Sequence, residues 1–243
     1  MNSLWMKRWL MVPAALGMAW GLGTMPSLKA QPAPDQPLIE ESGRIEPAKA
    51  TYSFVGSADQ RITIILDSGD FDPVVMLQDD EGNEIASNDD FGGSLNSKLI
   101  VSLPADGEYQ VVATSYDGQG GDYDLTVRPA NPYESLYGEG QDSLAAEKYD
   151  EAIAAYSAAI DLEPEEVPAY LGRIEAYLGQ VYAEAENVET PADIPADTKS
   201  LIIADFEQAA DLIEALGNLG WAQSLREQAD VLRGIPAESE SDA

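Results

Sequence analysis

Three acidic loop segments carry the side chains best suited to chemistry. Asp70 and Asp72 flank Phe71, Asp89 and Asp90 follow Asn88, and Asp79, Asp80 and Glu81 form a third run. A hard cation such as Ca2+ takes about six to eight oxygens from carboxylates, carbonyls and water. If two of these loops met at one end of a folded unit, Asp70, Asp72, Asp89 and Asp90 would supply the carboxylates. The competing reading is conformational. Asp72 precedes Pro73, and an Asp in a glycine-rich loop bonds its own backbone. None of the runs has EF-hand spacing. Tyr116, in Ser115-Tyr116-Asp117-Gly118, is a loop aromatic that either stacks on a sugar or is incidental.

Composition narrows the classes further. The chain has 243 residues, with 13 Lys+Arg against 44 Asp+Glu, a formal charge of −31, and neither His nor Cys. The missing His removes the Ser-His-Asp triad and every imidazole base or ligand. The missing Cys removes disulfides, thiolate nucleophiles and thiolate-bound zinc or iron–sulfur clusters. The charge excludes a nucleic-acid binder, which needs clustered cations. A carboxylate pair could hydrolyse a glycoside, but among 44 acids such a pair has no diagnostic value. A noncatalytic protein is expected.

The elements that would position these residues fall into two halves. Lys7 and Arg8 precede an apolar run from Leu10 to Gly23, and Ser27-Leu28-Lys29-Ala30 ends in a small residue. Residues 1–30 thus read as a secretory signal peptide, the alternative being a retained anchor. The run is shorter than the roughly 20 residues a bilayer span needs. Residues 31–37 are a Pro-rich linker. From 38 to 129 the pattern has period two, as in Ile62, Ile64, Leu66 and in Tyr123, Leu125, Val127. Turn signals such as Asp80-Glu81-Gly82-Asn83 and Asp90-Phe91-Gly92-Gly93 separate the runs. About eight short strands in an antiparallel β-sandwich are expected. At Pro132 the period becomes helical, with stripes at Ala152, Ile153, Tyr156, Ala159, Ile160 and at Phe206, Ala209, Ala210, Ile213. Residues 235–243 are an acidic tail expected to be disordered. After the signal, no segment is apolar for long enough to cross a membrane.

The β half resembles the bacterial pre-peptidase C-terminal (PPC) domain. The resemblance runs through Tyr52-Ser53-Phe54, Arg61-Ile62-Thr63-Ile64, Asp70-Phe71-Asp72-Pro73 and Asn88-Asp89-Asp90. It continues through Asn96-Ser97-Lys98-Leu99, the segment from Leu103 to Tyr109, and Gly121-Asp122-Tyr123-Asp124-Leu125. It implies a jelly-roll-like sandwich. Such domains accompany secreted peptidases, and some bind calcium or extracellular polymers. No peptidase domain accompanies this one, so protease activity does not carry over.

The helical half, residues 133–234, resembles tetratricopeptide repeats (TPR). Tyr149, Ala152, Tyr156, Ala159 and Pro164 match the second helix of one repeat. Small Ala152 and Ala159 let helices approach, Tyr156 fills the gap, and Pro164 ends the helix. Tyr170 and Tyr177 match the first helix of the next repeat, and Phe206 and Ala209 its second. About 16 residues beyond the 34-residue period are inserted there, mostly at 187–198, and a capping helix is expected near 219–233. The resemblance implies α-helical hairpins whose first helices line a concave, partner-binding face. Here that face would present Tyr137, Gln141, Leu144, Leu171, Glu175 and Leu178; the alternative is that these residues pack internally.

The resulting expectation is a two-domain β + α protein, a jelly-roll-like β-sandwich followed by TPR hairpins. It would act as an exported noncatalytic adaptor with a protein or peptide partner. The alternative is a calcium- or glycan-binding envelope module with the helices as spacer. No cofactor other than Ca2+ is suggested.

Overall fold

The computed structural model describes residues 36–45, 49–185 and 188–235. The expected signal peptide, nearly all of the linker and most of the acidic tail lie outside them. Eight strands come first: β1 (Ile39–Ile45), β2 (Ala50–Gly56), β3 (Arg61–Asp67), β4 (Pro73–Gln78), β5 (Glu84–Asn88), β6 (Ser97–Ser102), β7 (Gly107–Ser115) and β8 (Gly121–Pro129). They form two antiparallel sheets, β1-β8-β3-β6 and β2-β7-β4-β5. Consecutive strands such as β1 and β2 go to opposite sheets, and β8 returns beside β1. This is jelly-roll order.

Period-two alternation builds the core between the sheets. Ile62, Ile64 and Leu66 of β3 face Val75 and Leu77 of β4 and Val111 and Ala113 of β7, all essentially solvent-free. Gly56 lies where a Cβ would come within 2.2 Å of Leu103, so the strand end needs a residue without a side chain. One face of the β1-β8-β3-β6 sheet is unusual. Thr63 is fully buried on it, and Ile100, its cross-strand partner in β6, is 8% exposed. An outer sheet face that buries its side chains must be covered.

Helices provide the cover. α1 (Pro132–Ala145), α2 (Tyr149–Leu162), α3 (Val167–Glu184), α4 (Ala196–Ala215) and α5 (Leu219–Arg233) pack each against the next, and α1 also lies on β3 and β6. Asn131 opens α1 with a capping box, its side chain accepting from the Glu134 N–H. Small residues set the helix spacing. A Cβ on Gly140 of α1 would come within 2.6 Å of the Tyr156 ring, and one on Gly172 of α3 within 2.5 Å of it. Tyr156 is thus held between two glycines, and Ala152, Ala159 and Ala209 have no exposed surface. Tyr149 packs on Gly179 in the same way.

The expected long insertion is more ordered than a loose loop. α3 has 18 residues and α4 20, against 14 each for α1 and α2, so the extra sequence goes partly into longer helices. Between α3 and α4, a short 3-10 turn (Pro191–Asp193) is closed by Thr190 and Asp193, and Ile194 is buried in the helical core.

Candidate functional site

The junction between the halves is densely bonded. Glu134 sits one turn into α1 and is 1% exposed. Its carboxylate accepts two hydrogen bonds from the Arg128 guanidinium, at 2.6 and 2.8 Å, and pairs with Lys98 at 2.9 Å. It also accepts from the Thr63 hydroxyl at 2.8 Å and the Asn131 N–H at 2.9 Å. Arg128, Thr63 and Lys98 come from β8, β3 and β6, so one side chain ties α1 to three strands. Desolvation pushes the carboxyl up. The bonds from Arg128, Lys98 and the Asn131 backbone overcome that and hold it at about 2. Arg61 adds a second tie, donating to Asp142 at 2.7 Å, and its guanidinium lies against Gly138 of α1, where a Cβ would clash.

A loop of the sandwich also reaches the helices. Between β5 and β6, Phe91 and Ser94 exchange backbone hydrogen bonds around Gly92 and Gly93, whose φ values are 64° and 87°. Positive φ at both central residues defines a tight hairpin turn that glycine adopts without strain. Phe91 meets Tyr137 of α1 edge to face, with centroids 5.8 Å apart. Gly92 lies against Pro168 of α3, and a Cβ on Gly93 would sit 1.9 Å from the Trp221 ring of α5. At the base of the loop, the buried Ser97 hydroxyl donates to the Pro73 carbonyl and lies 3.1 Å from the Asn88 and Asp89 carbonyls.

The expected concave face divides accordingly. Tyr137 is not a free contact residue. Its ring packs among Phe91, Tyr133 and Tyr156 because the sandwich folds over it. Leu144, Leu171 and Leu178 are half-buried against the helical core. Gln141 and Glu175 remain exposed on the neighbouring helices α1 and α3, and the Gln141 amide lies 3.4 Å from the Tyr137 hydroxyl. Glu175 keeps an open surface, yet partial burial raises its carboxyl, and its charge in turn raises the Tyr137 and Tyr156 hydroxyls.

The remaining TPR-like positions serve packing. Phe206 and Tyr170 are buried, Tyr177 lies half-buried on the same core, and the Tyr170 hydroxyl donates to the Pro164 carbonyl. Beside them Arg173 makes a two-point contact with the buried Asp205, at 2.6 and 2.8 Å, and donates to the Ser157 hydroxyl. Sequence reasoning missed this pair, as it missed Glu134.

The four candidate calcium ligands do not meet as one set, because Asp70 faces β8 while Asp72 lies near Asp90 and its neighbour Asp89. Asp70 turns toward β8, accepting from the Asp122 N–H at 2.9 Å. It lines an open cleft of about 730 Å³ with Asp67, Asp122, Asp124, Ser68 and Asn96. Asp72 lies with Asp89 and Asp90, and its Oδ1 is buried without a hydrogen-bond partner. Burial, with Asp89 and Asp72 nearby, raises the Asp90 carboxyl. Asp79 instead closes its own turn, accepting from the Glu81 and Asn83 N–H groups. Among the described residues no three acidic side chains are disposed around one point to hold a metal ion. Tyr116 is exposed on the sandwich surface.

The comparisons fall on the sandwich. Residues 48–129, which take in β2 through β8, match the family model of the bacterial pre-peptidase C-terminal domain, and this stretch is such a domain. Solved structures similar to it include the pre-peptidase C-terminal domain of a Bacillus anthracis collagenase. That match has 18% identity and a TM-score of 0.32, over 37% of this chain and 88% of that one. Another is PliG of Aeromonas hydrophila, a periplasmic inhibitor of g-type lysozyme, with 20% identity and a TM-score of 0.33 over 42% of this chain and 93% of that one. The Salmonella Typhimurium PliG gives 19% and 0.29, over 38% and 86%. No curated protein matches the chain in sequence.

Proposed function

We propose that the chain is an exported, noncatalytic binding protein in which the PPC sandwich holds a TPR-like helical array in fixed orientation toward a partner protein. The observation that carries this reading is the Glu134 junction. A carboxylate bonded to three strands and its own helix start fixes α1 on the sheet. The successive helices are then presented at a set angle, with Gln141 and Glu175 open on α1 and α3 over a floor of Leu171 and Leu178. The sequence features that support export lie in residues 1–30. Among the described residues no helix is long and apolar enough to cross a membrane. The acidic surface suits a partner whose contact patch is basic or apolar.

The test is capture of envelope proteins on immobilised chain, once with Ca2+ and once with a chelator. A protein held by the native chain and released by Leu171→Glu with Glu175→Lys, at an unchanged melting temperature, supports the proposed face. Retention by that double variant places binding elsewhere. Capture that depends on Ca2+ would bring the acidic loops back as part of the mechanism.

A further inference from the structure

The turn at Phe91–Ser94 has the properties of a ligand supplied by the chain itself. It is shaped before it docks, because its two backbone hydrogen bonds and its two positive-φ glycines close it without help from the helices. It touches three alternate helices of the array at once, Tyr137 on α1, Pro168 on α3 and Trp221 on α5. Its hold is apolar and aromatic; among the described residues no hydrogen bond joins residues 90–94 to the helices. Lys98, whose ammonium lies 5.2 Å from the Phe91 centroid, is paired with Glu134 and stays with that junction when the turn leaves. The halves do not depend on this contact to remain together, since Glu134 and Arg61 tie α1 to the sheet separately.

Tyr137 joins the turn to the open part of the face. Its ring is the seat of Phe91, while its hydroxyl lies beside the Gln141 amide and its ring is near Glu175. We propose that the Phe91–Ser94 turn is an internal stopper, seated on the inner face of the helical array and able to leave it while the Glu134 junction stays closed. That a partner takes the vacated seat rests on the function proposed above; the seat and its local opening do not. With the stopper out, Tyr137, Pro168 and Trp221 become one continuous aromatic and apolar strip beside Gln141 and Glu175.

Hydrogen exchange on the full chain, followed by peptide mass, tests this. Peptides covering 89–96, 168–175 and 221–228 should exchange through an opening that is insensitive to low denaturant. They should do so at least tenfold faster than peptides of β3 and α1. Gly93→Ala puts a Cβ into the Trp221 ring and should raise exchange in those three segments several-fold, leaving β3 and β8 unchanged. Trp221→Ala removes the seat without touching the turn's backbone and should give the same pattern. The stopper is overturned if the three segments exchange only with global unfolding, or if neither variant moves 89–96. Where capture has yielded a partner, Trp221-intact variants with a weakened turn, such as Phe91→Ala, should bind it several-fold more tightly. Weaker binding would make the turn part of the recognition surface and overturn its role as a stopper. Absence of any captured protein would count against the binding reading alone, with the exchange pattern still deciding the seat.

Discussion

The two contacts across the junction are built from opposite materials. At Glu134 a buried carboxylate is saturated by charged and polar donors from three strands. At Phe91–Ser94 a turn meets three helices through rings and bare backbone. A desolvated charge tolerates only one arrangement, because any shift leaves it unpaired in a poorly solvated place. Apolar surfaces slide and separate at a cost proportional to area. The first contact therefore sets the register of the halves, and the second modulates what the helices expose.

The largest effect should come from breaking the first contact. Glu134→Ala strands Arg128 and Lys98 and should cost about 3–5 kcal/mol; calorimetry should show one transition for the native chain and two for the variant as the halves uncouple. Asp205→Ala sharpens the contrast by removing the acid of a buried pair inside one half. It should cost about 3 kcal/mol, while hydrogen exchange at the α1–β3 boundary keeps its native protection. Acid provides an intermediate probe. The Glu134 carboxyl is held near 2 in the fold against 4.5 as a free side chain. Its contribution is complete above pH 4.5 and disappears as pH falls toward 2. A denaturant midpoint that is flat across that window would show that the junction does not depend on charge. Phe91→Ala should cost only about 1 kcal/mol, the scale of one aromatic pair, with no change in the number of transitions. Smallest of all, Asp90→Asn should stabilise by a few tenths of a kcal/mol, roughly the value of one surface charge contact. It relieves crowding by Asp72 and Asp89 and should show as a slight rise in melting temperature.

Much of the fold is legible in the sequence because its code is local. Alternation at Ile62, Ile64 and Leu66 reports one buried sheet face, and the spacing of Ala152, Tyr156 and Ala159 reports a close helix contact. Pairing across the sheets is not local, so the order β1-β8-β3-β6 has no short-range signature. The junction shows the same limit. Asn131 and Glu134 are a capping-box pair three residues apart, which the sequence displays. That the same carboxylate also meets Thr63, 71 residues away, depends on how the halves dock. The TPR resemblance puts Tyr137 on the partner-binding face, and nothing local in the sequence announces that Phe91 meets its ring. Phe91-Gly92-Gly93 was legible as a turn, and only the position of Trp221 explains why Gly93 can bear no side chain there. The placement of the acidic loops was illegible for another reason. Asp70 and Asp72 leave the same loop in different directions, one toward β8 and one toward Asp90.

The pairing of the first strand with the last has a mechanical consequence. Ile39 lies opposite Val127, and Leu38 donates to the Val127 carbonyl, so the chain enters the sandwich beside the point where it leaves for the helices. Tension applied between the N-terminal segment and the helical array would act across this ladder, perpendicular to the strands and along its hydrogen bonds. The rungs from Ile39–Val127 to Ile45–Gly121 would then open one after another rather than together. β1 would be the first strand to peel under load, leaving β8, β3 and β6 still joined to α1 through Glu134.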